Sequence, residues 1–84
     1  MLSELEIVKG IHPGLILQRE LLIRNIAQGQ LARSIQVAPK IIDAIIDGKM
    51  DMNIDLSMRI EEALGLEEGY LMTLQVFFDI KKKK

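Results

Sequence analysis

Cysteine is absent from this 84-residue chain. That excludes a disulfide framework and a zinc–thiolate site, and it fits a reducing, cytoplasmic setting. Tryptophan is absent as well. One tyrosine and two phenylalanines leave the core to aliphatic side chains. The single histidine, His12, has no second histidine, no cysteine and no serine nucleophile arrangement near it, so neither a metal site nor a catalytic role is expected there. No paired carboxylates, nucleophile–base pair or phosphate-cradling loop stands in a plausible setting. The chain is therefore expected not to be an enzyme and to need no cofactor. No apolar run approaches the roughly 20 residues of a membrane span. The start, Met1-Leu2-Ser3-Glu4, lacks the basic flank and long apolar stretch of a signal peptide. A basic excess is missing too: the net charge is −1, where nucleic-acid-binding domains are usually positive. The sum does not decide the matter, because what counts is the charge carried by one face.

What is present is helix-forming. Hydrophobic residues make up 49% of the chain and charged residues 27%, a globular balance rather than a disordered one. Apolar residues recur at spacings of three and four nearly throughout, without sustained strand-like alternation. Ser3 and Glu6 form a capping box, and a short helical turn follows up to Gly10. Pro13 and Gly14 open a first helix with Ile16, Leu17 and Leu21 on one face, ending near Arg24. A second, short helix covers residues 28–35, with Leu31, Ala32 and Ile35 inward. Gln36, Val37 and Ala38 make a tight connection. Pro39 suits the first position of a third helix, because its missing N–H is not needed there. That helix runs to Asp47, and Gly48 stops it. Asn53 caps a fourth helix, with Leu56, Ile60, Ala63 and Leu64 on one side, and Gly65 ends it. A fifth runs from about residue 67 to residue 80. The expected architecture is all-α: a compact five-helix bundle in one domain of residues 11–80, preceded by an extension of residues 1–10 and followed by a solvated lysine tail, 81–84.

The second and third helices, joined by a tight turn, are the mechanical core of a helix-turn-helix spanning about residues 28–48. The first of the pair braces the second, whose outer face meets a major groove. A helical wheel sends Ile42, Ile45 and Ile46 to the core. It leaves Lys40, Asp43, Ala44 and Asp47 outward, flanked by Pro39 and Ile41. Lys40 can reach the acceptor pair of guanine, Asp43 can accept from cytosine, and Ile41 or Ala44 can touch a thymine methyl. These four are the candidate base readers.

Several groups of residues follow one another in order. They are His12-Pro13-Gly14, Gln28 with Leu31-Ala32-Arg33, Ile42 with Ile45-Ile46 and Gly48-Lys49, Leu56 to Ile60 with Ala63-Leu64-Gly65, and Leu74-Gln75 with Asp79-Ile80. Together they resemble the HigA/VapI-type antitoxins, plasmid-maintenance antidote proteins of the XRE (Cro/cI-like) helix-turn-helix family. The resemblance covers about residues 11–81. It implies a lambda-repressor-like fold and a regulator that represses its own operon and neutralises a HigB/RelE-like toxin. It also implies that Gln28 and Lys49 hold the DNA backbone, and Arg33 on the same short helix is a further phosphate candidate. The chain departs from the family at Ala27 and Ala38, where a Ser or Thr cap is usual, at Gln36, where Gly is usual, and on the outer face of the third helix, where Gln, Arg, Thr or Ser is usual.

Two further patterns have alternative readings. Asp51, Asn53 and Asp55 with Glu62 echo a calcium loop, but Leu56 stands where such a loop needs glycine, and a capped helix accounts for the same residues. The fifth helix is apolar nearly all round, which points to burial on more than one side. Met72, Val76, Phe77 and Ile80, together with Ile54 and Met58 on the fourth helix, are therefore expected at a homodimer or partner interface. A two-fold dimer would set its third helices about 34 Å apart on a palindromic operator in double-stranded DNA. The other reading is a helical protein-interaction module with a degenerate helix-turn-helix and no specific DNA binding.

Overall fold

The computed structural model describes residues 10–83. The capping box at residues 3–6 and the short turn after it lie outside the described residues. Among the described residues five α-helices follow one another: α1 (Pro13–Arg24), α2 (Gln28–Ser34), α3 (Pro39–Ile46), α4 (Ile54–Leu64) and α5 (Tyr70–Lys82). Among the described residues there is no strand. Among the described residues, no helix is long and apolar enough to cross a membrane.

Each helix boundary has a local cause. His12 caps α1 by accepting the N–H of Gly14 on its ring Nδ1 at 3.0 Å, and Pro13 occupies the first turn. Asn25 ends α1 in the left-handed conformation. α2 and α3 start at Ala27 and Ala38, which offer no side-chain cap, and Pro39 presets the first turn of α3. Asn53 Oδ1 accepts the N–H of Leu56 at 2.8 Å to begin α4, and Gly65 closes it at φ +70.

The fifth helix differs from expectation at both ends. It begins at Tyr70, not near Glu67, and it runs on to Lys82. Residues 67–69 form a turn instead. The carboxylate of Glu61, buried in α4, accepts the N–H groups of Gly69 at 3.0 Å and Leu71 at 2.9 Å. That side chain does the work of an N-cap from another helix, and so it sets where α5 starts. The same observation corrects the inner face of α4. Ser57 and Glu61 are buried beside Leu56, Ile60 and Leu64, whereas Ala63 is exposed.

One core joins all five helices. Ile16, Leu17 and Leu21 of α1 meet Leu31 and Ala32 of α2, Ile42, Ile45 and Ile46 of α3, Ile60 of α4, and Leu71 and Leu74 of α5. Each of the large aliphatic side chains contributes about 1.5–3 kcal/mol by leaving water. α3 lies against both α1 and α2, so its inner face is wholly enclosed, while Lys40 and Asp43 remain outside.

Candidate nucleic-acid interface

The turn between α2 and α3 is tied by two backbone bonds, Gln36 N to Arg33 O at 3.2 Å and Val37 N to Ala32 O at 3.0 Å. Gln36 adopts φ +60 to make it, a left-handed conformation that suits glycine and costs another residue roughly 1–2 kcal/mol. Arg59 of α4 donates from Nη1 to the carbonyl of Ile35 at 3.2 Å and fastens the turn to the body of the bundle. Asp55 holds that guanidinium in place through an ion pair of 3.3 Å.

α3 presents Lys40, Asp43 and Asp47 to solvent, with Ala44 half-buried between them. These positions are spaced by three and four and form one stripe along the helix. Pro39 is exposed at the start. Ile41 is half-buried and packs on the core, so only part of it is available on the flank. The outer face therefore carries one cation at its leading end and two carboxylates behind it.

Three further candidate residues lie on α2 and just past α3. Gln28 is half-buried at the first position of α2, whose leading N–H groups have no side-chain cap from Ala27. Arg33 is exposed and lies back along α2: its Nη1 is 3.6 Å from where a Cβ on Gly29 would stand. Its charge thus adds to the positive end of the helix dipole. Lys49 is exposed just past Gly48, which turns the chain at φ +76, and its N–H donates to Ala44 O at 2.9 Å. Among the described residues, Arg33, Lys40 and Lys49 take part in no ion pair. Their charge is not consumed inside the fold.

Close packing behind α3 fixes where it sits. A Cβ on Gly14 would fall 1.8 Å from the carbonyl oxygen of Ile45, so α1 approaches the last turn of α3 as nearly as a bare Cα allows. His12 borders the same contact. Its Nε2 lies 3.3 Å from Asp51 Oδ1, and its ring meets Phe78 edge-on, with centroids 4.9 Å apart and planes at 82°. With Nδ1 accepting from Gly14, Nε2 carries the proton and donates to Asp51. The His-Pro-Gly sequence thus does more than open a helix. It joins α1, the loop after α3, and α5.

The residues that echo a calcium loop have other partners. Asp51 accepts from His12, Asn53 caps α4, and Asp55 pairs with Arg59. Among the described residues, no group of three or more His, Asp or Glu is placed to hold a metal ion.

The apolar surface falls in two places. On α5, Val76 and Ile80 are about half exposed, and Met72 and Phe77 are half-buried. Ile54 and Met58 are exposed on α4, which packs on α5. Leu71 and Leu74 go to the core, so α5 is less apolar outside than its sequence implies. The second place is α1, where Leu15, Leu22 and Ile23 are exposed at 53%, 75% and 69%. Sequence reasoning did not foresee that set, although Leu15 and Leu22 are one heptad apart. It also missed Glu61, Arg59 and Gln75, polar residues with structural partners far along the chain. Two spacings of four, Asp55–Arg59 and Gln75–Asp79, offered a local signal for Arg59 and Gln75, and nothing local pointed to Glu61.

No protein-family model matches the sequence, and no curated protein matches it either. Solved structures do. A HigA-family addiction-module antidote protein from Coxiella burnetii is 29% identical and superposes with a TM-score of 0.80, over 88% of this chain and 82% of that one. The Pseudomonas aeruginosa antitoxin HigA, solved with the higBA promoter, is 25% identical with a TM-score of 0.83, over the same shares of the two chains. A Pseudomonas aeruginosa protein in complex with its 28-bp operator DNA is likewise 25% identical, with a TM-score of 0.83.

Proposed function

We propose, the chain being a helix-turn-helix protein of the HigA antitoxin type, that it is a dimeric DNA-binding regulator which represses its own operon and neutralises an RNA-cleaving toxin of the HigB/RelE kind. The observation that carries the reading is the likeness, over 88% of the chain, to an antitoxin solved with its promoter. The exposed face of α3 supports it, with unpaired Lys40 leading, and so do the exposed, unpaired cations Arg33 on α2 and Lys49 just past α3. In this reading Gln28, Arg33 and Lys49 hold phosphates, and Lys40 reads a base edge, with Ile41, Asp43 and Ala44 in secondary contacts. Val76 and Ile80, with Met72, Phe77, Ile54 and Met58, form the two-fold contact that spaces the two α3 helices on a palindrome.

The test is an electrophoretic titration with the DNA upstream of the gene at two salt concentrations. The reading requires a palindrome-specific complex that weakens steeply with salt, by about 0.9 in log–log slope for each phosphate contact. Co-expression with the toxin-like neighbour would test the second half, with recovery of growth as the readout. Asp43 and Asp47 favour a second reading, a dimerising interaction module without specific DNA recognition, because phosphates repel both. Specific binding of the palindrome rules it out.

A further inference from the structure

Two side chains that the DNA reading leaves unused meet behind the loop of residues 47–53. Gln75 of α5 is buried, with 2% of its surface exposed. Its Nε2 donates to Asp79 Oδ1 at 3.0 Å, one turn further along α5. That bond decides which end of the amide is which. Oε1 is left to accept, and it takes the backbone N–H of buried Met52 at 2.8 Å, across 23 residues of sequence. An amide enclosed in so small a core needs such partners to be tolerated there at all.

The loop that Gln75 grips is the one that carries Lys49. On one side, the N–H groups of Lys49 and Met50 both donate to Ala44 O of α3, at 2.9 and 3.2 Å. On the other, Met52 is held by Gln75, and Asp51 by His12. Lys49 therefore sits on a short segment pinned at both ends, to α3 before it and to α5 and α1 after it. A segment already ordered loses no further freedom when DNA binds, whereas a loose one does.

Resting on the DNA-binding reading above, we propose that Gln75, oriented by Asp79, is a positioning residue for DNA binding. It clips the Lys49 loop onto α5, so that the phosphate contact of Lys49 depends on a helix outside the helix-turn-helix. The Leu-Gln-x-x-x-Asp pattern at residues 74–79 is then the signature of that clip: Leu74 anchors the core, Gln75 grips the loop, and Asp79 sets the amide.

The experiment compares wild type, Gln75→Leu, Lys49→Ala and the double variant by operator titration over a series of salt concentrations. Gln75→Leu keeps the size of the side chain and removes its acceptor. It should weaken binding about tenfold, the scale of re-ordering a residue or so of backbone. It should also flatten the salt slope towards that of Lys49→Ala, a change of about one unit. In the Lys49→Ala background the same substitution should leave the slope unchanged. The paired change Gln75→Glu with Asp79→Asn keeps an acceptor facing Met52 and a donor at position 79, and it should restore wild-type affinity and slope. Should Gln75→Leu fail to fold, Asp79→Ala at an exposed position frees the amide to turn and should shift affinity and slope the same way. Equal loss of affinity in both backgrounds with an unaltered slope would mean that Gln75 serves only the core, and the proposal falls. A wild-type chain that binds no DNA removes the DNA reading and the positioning role together, whereas binding without the slope coupling removes the positioning role alone.

Discussion

Gly14→Ala adds a single methyl where, of the described glycines, backbone from another helix comes nearest. The new Cβ would lie 1.8 Å from the carbonyl oxygen of Ile45, 2.7 Å from its carbon and 3.0 Å from His12 Nδ1. Two of these three atoms are backbone and cannot rotate away. To reach even the shortest tolerated separation, about 3.0 Å, the first turn of α1 must withdraw from α3 by roughly 1.2 Å. Overpacking of this kind costs about 1–3 kcal/mol. The His12 cap lies in the same contact, and its loss adds about 1 kcal/mol. A domain of this length holds roughly 4–12 kcal/mol in all. At about 4–8 °C per kcal/mol, the melting temperature should fall by about 8–32 °C, read by far-ultraviolet circular dichroism. Gly29→Ala is the control. There the nearest atom to the new Cβ is Arg33 Nη1 at 3.6 Å, an ordinary contact. Helix propensity alone should then raise stability, by up to about 1 kcal/mol. Gly14→Ala melting within about 2 °C of wild type would refute the argument that α1 and α3 are fitted through this glycine.

Other substitutions probe other parts of the account. Glu61→Leu strands the N–H groups of Gly69 and Leu71, and it should cost about 2–4 kcal/mol in chemical denaturation; a cost below about 1 kcal/mol would mean that another group caps α5. Gln36→Gly relieves the left-handed turn residue and should stabilise the chain by about 1 kcal/mol, whereas a destabilised variant would show that the glutamine side chain has a role of its own. Lys40→Ala should cost about 1–3 kcal/mol at a guanine position of the operator and little elsewhere, measured on a panel of single-base variants; uniform weakening would make Lys40 a phosphate contact instead. Val76→Asp, at a half-exposed position, should leave helicity intact and give a monomer by sedimentation, and a wild-type chain that is already monomeric at tens of micromolar, about the range where a standard-size interface is occupied, would remove the dimer reading.

The sequence by itself determined whatever depends on near neighbours. Pro39, Gly48, Asn53 and Gly65 act within a turn of their own positions, and each bounds its helix as read. The spacing of Ile42, Ile45 and Ile46 set which side of α3 is buried, and so which side holds Lys40 and Asp43. The family resemblance rested on such short-range signals in order, and the fold agrees with it.

Only the tertiary structure decided what depends on residues far apart in the chain. Glu61 moved the start of α5 from residue 67 to Tyr70, because a carboxylate from α4 supplied the cap that the local residues lack. The apolar character and spacing of Ala63 point it inward, yet Glu61 and Ser57 hold the inner face, since their hydrogen bonds satisfy them there. His12 reads as a lone histidine until the fold brings Asp51 and Phe78 to its ring, 39 and 66 positions away in sequence. Leu15, Leu22 and Ile23 stay outside although they are as apolar as the core, because α1 has one enclosed side and Ile16, Leu17 and Leu21 already fill it. Helical periodicity states that one face of a helix is buried; which polar group is buried with it, and against what, is settled when the helices meet.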